Sequence, residues 1–236
     1  VDKSNRLFMK ERTLAAQKDL YDVVFDPSIY PEVMWYDSCM WNGIYKSDFL
    51  REKKITLNET PGAAYQDLGF EMQVMCWAER VMYLDVELYY YRRDNENSSM
   101  KDSDSLRKVY DEFQFVKKFM ENKSDTIIPQ WWAYFQRFYG SNIRDWISGS
   151  LLQYGSLPKE ADDILDKMRQ ECNWGLEKGY ILSSIMGYSK VAEIKLLIED
   201  KESFLKYLYN EKKLKWDAQK RMIEEAKRWK QIIIFG

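Results

Sequence analysis

Residues 61–99 decide the fold class, because the hydrophobic period changes within them; they read PGAAYQDLGFEMQVMCWAERVMYLDVELYYYRRDNENSS. Phe70, Val74 and Trp77 recur at helical spacing, which predicts an amphipathic helix over residues 68–79. After Arg80 the apolar residues alternate with a period of two, which predicts a strand over residues 81–86. A second extended piece, residues 88–92, leads into a polar loop. This stretch therefore predicts helix and strand within one folding unit.

The rest of the chain adds short strands before this stretch and helices after it. Residues 21–25 and 55–57 have the composition of short strands, and a short helix is expected to end near residue 54. Beyond residue 100, apolar side chains step by three and four through residues 106–120, 132–146, 164–172 and 191–208, and a more charged helix is expected over 214–229. We expect a predominantly helical α+β fold, with residues 1–100 and 101–236 as its two regions.

Composition excludes several classes of function. The 36 Lys and Arg residues nearly balance the 38 Asp and Glu residues, so the chain lacks the basic surplus of a nucleic-acid-binding domain. Histidine is absent, which excludes Ser-His-Asp and Cys-His catalysis and His-ligated zinc within this chain. Three widely spaced cysteines favour a reducing, cytoplasmic location over a disulfide scaffold.

An ordered set of motifs runs through the first half of the chain. W-x-x-I-Y-x-x-x-F-L begins at Trp41, G-x-x-Y-x-D-x-x-F at Gly62, A-x-R-V at Ala78 and Y-x-Y-R-x-x-N-x-x-S-S at Tyr89. In this order the motifs resemble the second half of family 2 glycosyltransferases, the GT-A-fold enzymes that build bacterial surface polysaccharides. The resemblance covers roughly residues 25–120. The nucleotide-sugar half of that family, which carries its D-x-D metal motif, would precede Val1.

The resemblance implies an activity and a catalytic base. It implies inverting transfer of a sugar from a nucleotide donor to a saccharide or lipid-linked acceptor, with Mg²⁺ or Mn²⁺ held together with the nucleotide sugar in the missing half and none bound by this chain alone. It also implies that Asp67 is the base that takes the proton of the acceptor hydroxyl. Spacing alone favours a different role for Asp67, the N-cap of the following helix.

The same resemblance implies a set of substrate-binding residues. We expect an acceptor site lined by Trp41, Tyr45 and Tyr65, although each of these rings is equally suited to the hydrophobic core. Four further residues in the polar loop could donate hydrogen bonds to a diphosphate or to acceptor hydroxyls: Arg92, Asn95, Ser98 and Ser99. The alternative is a solvated loop whose arginines are satisfied by neighbouring acids.

The carboxy-terminal part of the sequence leaves two further questions open. The helix expected over residues 214–229 is basic, which suits contact with an anionic membrane surface, but such a run is more often a solvated face. Residues 231–236, QIIIFG, resemble the first strand of a truncated Rossmann-like unit, or form a plain strand within this domain. The rival to the enzyme hypothesis is a helical interaction or regulatory domain without catalytic activity.

The missing donor half leads to a first prediction. Residues 1–236 alone should not bind a UDP-sugar tightly, because the metal that bridges the diphosphate belongs to the other half. Titration calorimetry with a UDP-sugar, with and without Mg²⁺ or Mn²⁺, measures this. Tight metal-dependent binding to this chain would contradict the assignment of the donor site.

Overall fold

The structure is a computed structural model that describes residues 18–30, 33, 40–60, 65–84, 86, 105–121 and 143–228. Helix accounts for 71% and strand for 4% of this part of the chain, so the predominantly helical α+β fold is confirmed. None of the helices within these residues combines the length and the apolar character that crossing a membrane requires.

Most of the described elements are helices, and the two strands are short. The helices are α1 (Ser47–Glu52), α2 (Gln66–Trp77), α3 (Ser105–Glu121), α4 (Arg144–Tyr154), α5 (Lys159–Glu177), α6 (Ser183–Met186), α7 (Tyr188–Glu199) and α8 (Lys201–Ala226). The strands are β1 (Val24–Phe25) and β2 (Val81–Met82). The helices predicted from residues 106–120 and 164–172 are therefore present as α3 and α5.

The two strands form a small antiparallel ribbon in which Phe25 lies opposite Val81. Beyond the ribbon the backbone N–H of Asp22 donates to the carbonyl oxygen of Tyr83 at 2.8 Å. The Phe25 and Tyr83 rings lie 5.3 Å apart, centroid to centroid. The strand predicted over residues 81–86 is thus shorter than expected, since β1 offers only a short edge for it to pair with.

The largest hydrophobic cluster crosses the predicted boundary at residue 100. Leu68, Met72 and Met75 of α2 share this cluster with side chains from α3 onward. Among its fully buried members are Phe113, Ile147, Leu165, Met168, Ile194, Leu197, Phe204 and Leu208. The helix in the motif-bearing region and the later helices therefore share one core, while the two-region division remains a prediction.

The helical conformation is interrupted at Asp200, where the sequence predicted a continuous helix over residues 191–208. Asp200 has an extended backbone, and its carboxylate accepts hydrogen bonds from the Ser203 N–H at 3.0 Å and from the Ser203 hydroxyl at 2.7 Å. An N-cap aspartate of this kind starts a new helix. Helix α8 then continues without interruption through residue 214, where a separate helix was expected.

Ion pairs connect α7 and α8 to the earlier helices α4 and α5. The guanidinium of Arg144 in α4 bonds Glu193 of α7 at 2.8 Å and also contacts Glu211 of α8. At the start of α8, the Lys201 ammonium lies 2.7 Å from Asp162 and 2.8 Å from Asp166 of α5. Removing one partner of the buried Arg144–Glu193 pair would leave an uncompensated buried charge, so this pair favours one arrangement of α4 and α7.

The core leads to a prediction about stability. Leu165→Ala should lower the free energy of unfolding by about 2–5 kcal/mol, because Leu165 is fully buried and its truncation leaves a cavity. Leu214→Ala, in an exposed part of α8, is the matched control and should change the free energy of unfolding by less than about 0.5 kcal/mol. Urea unfolding measures both. Equal losses in the two variants would show that the core is misassigned.

Candidate functional site

Asp67 lies in the first turn of α2. Tyr65 precedes the helix in a left-handed conformation, with φ of 67°, and its side chain makes no capping bond. Asp67 is therefore the second helical residue, two positions after the N-cap Tyr65, and not the N-cap that spacing alone suggested. One oxygen of the Asp67 carboxylate accepts a hydrogen bond from the Leu68 N–H at 3.0 Å. The side chain is half-buried, so it has one side toward the protein and one toward solvent.

The segment before α2 is held against the helix by glutamine side chains. The amide of fully buried Gln73 donates to the Thr56 carbonyl at 2.9 Å and accepts from the Thr56 N–H at 3.3 Å. The Gln66 amide donates to the Asn58 carbonyl and, at 3.2 Å, to the Thr60 hydroxyl. Residues 55–57 were predicted as a strand. In the described structure the Gln73 side-chain amide makes the hydrogen bonds to the Thr56 backbone that a neighbouring strand would make.

A second carboxyl group, Glu112 of α3, lies buried beside this segment. Its side chain is 1% exposed, and one oxygen accepts a hydrogen bond from the Asn58 amide at 3.0 Å. The other oxygen has no hydrogen-bond partner among the described residues. That oxygen lies against Gly69 of α2, where an added Cβ would be only 1.7 Å away. Glycine at position 69 therefore provides the space that the carboxyl group occupies.

The surroundings give Glu112 an unusual pKa. Burial raises the pKa of the Glu112 carboxyl to about 7, the hydrogen bond from Asn58 opposes the rise, and the charge of Asp67 adds to it. Near neutral pH this group is divided between its protonated and ionised forms. Asp67 and Glu112 are thus two carboxyl groups in different environments, one half-buried and one enclosed.

Three of the other predicted site residues, Tyr45, Tyr65 and Trp41, lie within the described structure. The Tyr45 hydroxyl donates to a Glu71 carboxylate oxygen at 3.1 Å, and the Tyr45 ring meets that of Phe70 edge to face at 5.1 Å. Tyr65 is half-buried against the main hydrophobic cluster, and Trp41 is exposed in a short turn, Met40–Asn42. The predicted loop donors fall outside the described residues: Arg92, Asn95, Ser98 and Ser99.

Sequence reasoning missed Glu112 and its partners. Glu112 directly precedes Phe113 in the apolar stripe of α3, so a carboxyl group at the edge of a buried face was visible as a signal. Gly69 was a second signal, because a glycine inside a predicted helix often marks a close approach. No sequence pattern indicated the hydrogen bonds of Asn58 and Gln73, because their partners lie 54 and 17 positions away in sequence.

The described residues do not fit a metal ion at this place. No three Asp, Glu or Cys side chains within them come together as metal ligands. Asp67 and Glu112 offer two carboxyl groups, and one oxygen of Glu112 is enclosed against Gly69. The Mg²⁺ or Mn²⁺ that the resemblance implies therefore has no set of ligands among the described residues at this place.

Comparison with models of protein families, with curated proteins and with solved structures finds no match to this chain. The motifs between Trp41 and Ser99 and the geometry around Asp67 are therefore the two sources of a functional hypothesis.

The pKa of Glu112 leads to a third prediction. Between about pH 4.5 and about pH 7 the native protein keeps a proton that the unfolded chain releases, so this group lowers the free energy of unfolding by about 3 kcal/mol as the pH rises. Glu112→Gln cannot ionise and still accepts from Asn58. Its stability relative to the wild type should therefore increase by a similar amount between about pH 5 and about pH 8.

Urea unfolding at both pH values measures this difference. The control is Glu59→Gln, an exposed position in the same segment, which should show no pH-dependent difference from the wild type. A Glu112→Gln variant that tracks the wild type at both pH values would show that the Glu112 carboxyl is not enclosed as described.

Proposed function

We propose that this chain supplies the acceptor side of an inverting, nucleotide-sugar-dependent glycosyltransferase that acts in bacterial surface polysaccharide synthesis. The observation that carries the proposal is the half-buried carboxylate of Asp67 in the first turn of α2, at the motif position of the family's base. Tyr65 directly precedes this turn, and Tyr45 contacts the same helix one turn later. A saccharide or lipid-linked acceptor would bind on this side of the helix.

The reaction requires one proton transfer to Asp67. The acceptor hydroxyl oxygen forms a bond to the anomeric carbon of the donor, while the bond from that carbon to the leaving diphosphate breaks and its electron pair departs with the diphosphate. The hydroxyl proton passes to the Asp67 carboxylate as the new bond forms. Attack from the face opposite the leaving group inverts the configuration at the anomeric carbon.

Two features suit Asp67 to accept this proton. The first turn of a helix favours negative charge, because its backbone N–H groups point toward the carboxylate. The Leu68 N–H holds one carboxylate oxygen at 3.0 Å, which fixes the orientation of the group. A base held in one orientation needs less rearrangement to reach the attacking hydroxyl.

Glu112 acts in this proposal as a positioning residue. Its carboxyl group holds the Asn58 side chain, while Gln66 bonds the Asn58 carbonyl, so segment 55–60 is anchored beside Asp67 from two sides. When Glu112 keeps its proton, the pair carries a single negative charge, on Asp67. Ionisation of Glu112 adds a second charge in a buried place, which opposes close contact between α2 and α3.

Aromatic rings would provide the remaining acceptor contacts. Sugars present apolar faces that stack on aromatic rings, and Trp41 offers an exposed ring while Tyr45 is partly exposed. The diphosphate or the acceptor hydroxyls would be bound by the predicted loop donors: Arg92, Asn95, Ser98 and Ser99.

A cytoplasmic location, at the inner face of the membrane, belongs to the same proposal. Cys76 and Cys172 are free thiols in the described structure, and burial raises the pKa of both. Thiols that are mostly protonated and unpaired suit a reducing compartment.

A helical interaction domain is the second candidate function. The observation that favours it is the far part of α8, which exposes several large apolar side chains. The protein sequence encoded upstream of Val1 separates the candidates, because a strand-rich half with a D-x-D motif would support the enzyme and an unrelated sequence would favour the interaction domain.

The base assignment leads to a fourth prediction. In the full-length gene product, Asp67→Asn should reduce glycosyl transfer by about 10²–10⁴-fold, because asparagine accepts the Leu68 hydrogen bond but not the proton. The matched control is Asp48→Asn, which changes the second residue of α1 in the same way and should leave turnover unchanged. Both variants should keep wild-type unfolding curves. Near-normal turnover of Asp67→Asn would reduce Asp67 to a structural residue.

A further inference from the structure

The far part of α8 extends beyond the helices on which its beginning packs. Phe204 and Leu208 are fully buried, and Glu211 contacts Arg144 of α4. From residue 213 to residue 225 every side chain is exposed. We call residues 213–228 the distal segment of α8; its exposed stretch is about 20 Å long at the helical rise per residue.

The distal segment exposes four large apolar side chains. Leu214 is 68% exposed, Trp216 48%, Met222 57% and Ile223 52%. Leu214 and Met222 lie eight residues apart, with Ala218 midway between them, so these three form one row along the helix. Trp216 and Ile223 are seven residues apart and form a second row. The two rows lie within about half of the helix circumference, with Lys215 and Gln219 between them and Glu225 in line with the first row.

Four basic residues lie at the borders of the half that carries the apolar rows. Helical spacing places Arg221 and Arg228 at one border and Lys220 and Lys227 at the other, whereas Asp217 and Glu224 lie on the opposite side. The distal segment contains six Lys and Arg residues against three Asp and Glu residues, a surplus of three positive charges in a chain whose net charge is −2. The segment is thus basic on a molecule that is otherwise acidic.

Most of the border charges are available to an external partner. Arg228 pairs with Glu225 at 2.8 Å. Among the described residues, Lys220, Arg221 and Lys227 have no carboxylate within 4.0 Å. The Lys220 ammonium lies 5.6 Å from the centre of the Trp216 ring, so one lysine side chain covers the edge of the apolar surface.

We propose that the distal segment of α8 docks on an anionic lipid bilayer, with its apolar rows in the interface and its Lys and Arg borders among the headgroups. A helix with large apolar side chains on one half, basic residues at its borders and two of its three acids on the far side suits the plane of such a surface. Tryptophan prefers this depth because its ring is apolar and its N–H is polar. A second copy of the chain fits less well, since its basic borders would meet like charges.

The site does not involve Asp67, so the test is separate from that of the proposed enzyme. The full chain is mixed with vesicles of phosphatidylcholine containing about 30% phosphatidylserine, or of phosphatidylcholine alone, and the bound fraction is measured by flotation. We expect binding to the anionic vesicles and little to the neutral ones, and binding should weaken as salt is added.

Two double variants test the two halves of the surface. Lys220→Gln with Arg221→Gln removes two border charges and should lower the partition coefficient roughly 25-fold. Met222→Gln with Ile223→Gln removes two apolar side chains and should lower it at least roughly tenfold. The matched controls are Lys178→Gln with Lys195→Gln, and Ile29→Gln, which change exposed residues elsewhere and should bind as the wild type does.

Several outcomes would overturn the proposal. The first is failure of the chain to bind anionic vesicles, and the second is an equal loss of binding in the control variants. The third is an apolar variant that binds as the wild type does, since binding would then be only unspecific adsorption by charge. Sedimentation velocity adds one more: a dimer that the Met222→Gln, Ile223→Gln variant abolishes, without vesicle binding, would assign the surface to a second copy. Helix content measured by circular dichroism checks that every variant is folded.

Discussion

The close approach of α2 and α3 at Gly69 is the contact on which the candidate site depends. A carboxyl oxygen of Glu112 lies where any side chain at position 69 would be, so α2 and α3 can pack this closely only because residue 69 is glycine. From Glu112 the contact continues to Asn58 and from Asn58 to Gln66, which returns the chain to the first turn of α2. One missing Cβ therefore allows a closed ring of contacts around the helix start that carries Asp67.

This arrangement has an energetic cost and a use. A carboxyl group enclosed away from water is held near its neutral form, and its ionisation works against the packing around it. The apolar cluster of α2 and the later helices supplies the stability that tolerates such a group. The use of the arrangement is that Glu112 and Gln66 both bond Asn58, which holds segment 55–60 beside the first turn of α2.

Helix α8 shows a similar division along a single element. Its beginning is anchored by Phe204, Leu208 and the Arg144–Glu211 contact, and its far part projects with apolar side chains exposed. The anchored turns hold the projecting ones in a fixed direction, because an uninterrupted helix transmits its orientation along its axis. The proposed catalytic carboxylate and the proposed lipid-binding surface thus lie on different helices of one core.

Local pattern determined the fold class and the element that carries Asp67. Spacing of apolar residues was sufficient for α2, α3 and α5, because helical periodicity depends on neighbours within a few positions. The same information misjudged residues 55–57 and missed the break at Asp200. In the first case the extended backbone pairs with the Gln73 side chain, and in the second a capping bond to Ser203 outweighs a continuing apolar pattern.

The motifs identified Asp67, Tyr45 and Tyr65 as candidate site residues, whereas Glu112 entered the site only through tertiary structure. Its pKa depends on burial between α2 and α3 and on a bond from a residue far away in sequence, and no spacing rule contains either quantity. The sequence by itself determined that α2, α3 and α5 form and which carboxylate of α2 the motifs mark. Only the tertiary structure decided that a second, buried carboxyl group, Glu112, lies near Asp67, because the desolvation of a charge depends on what surrounds it in space.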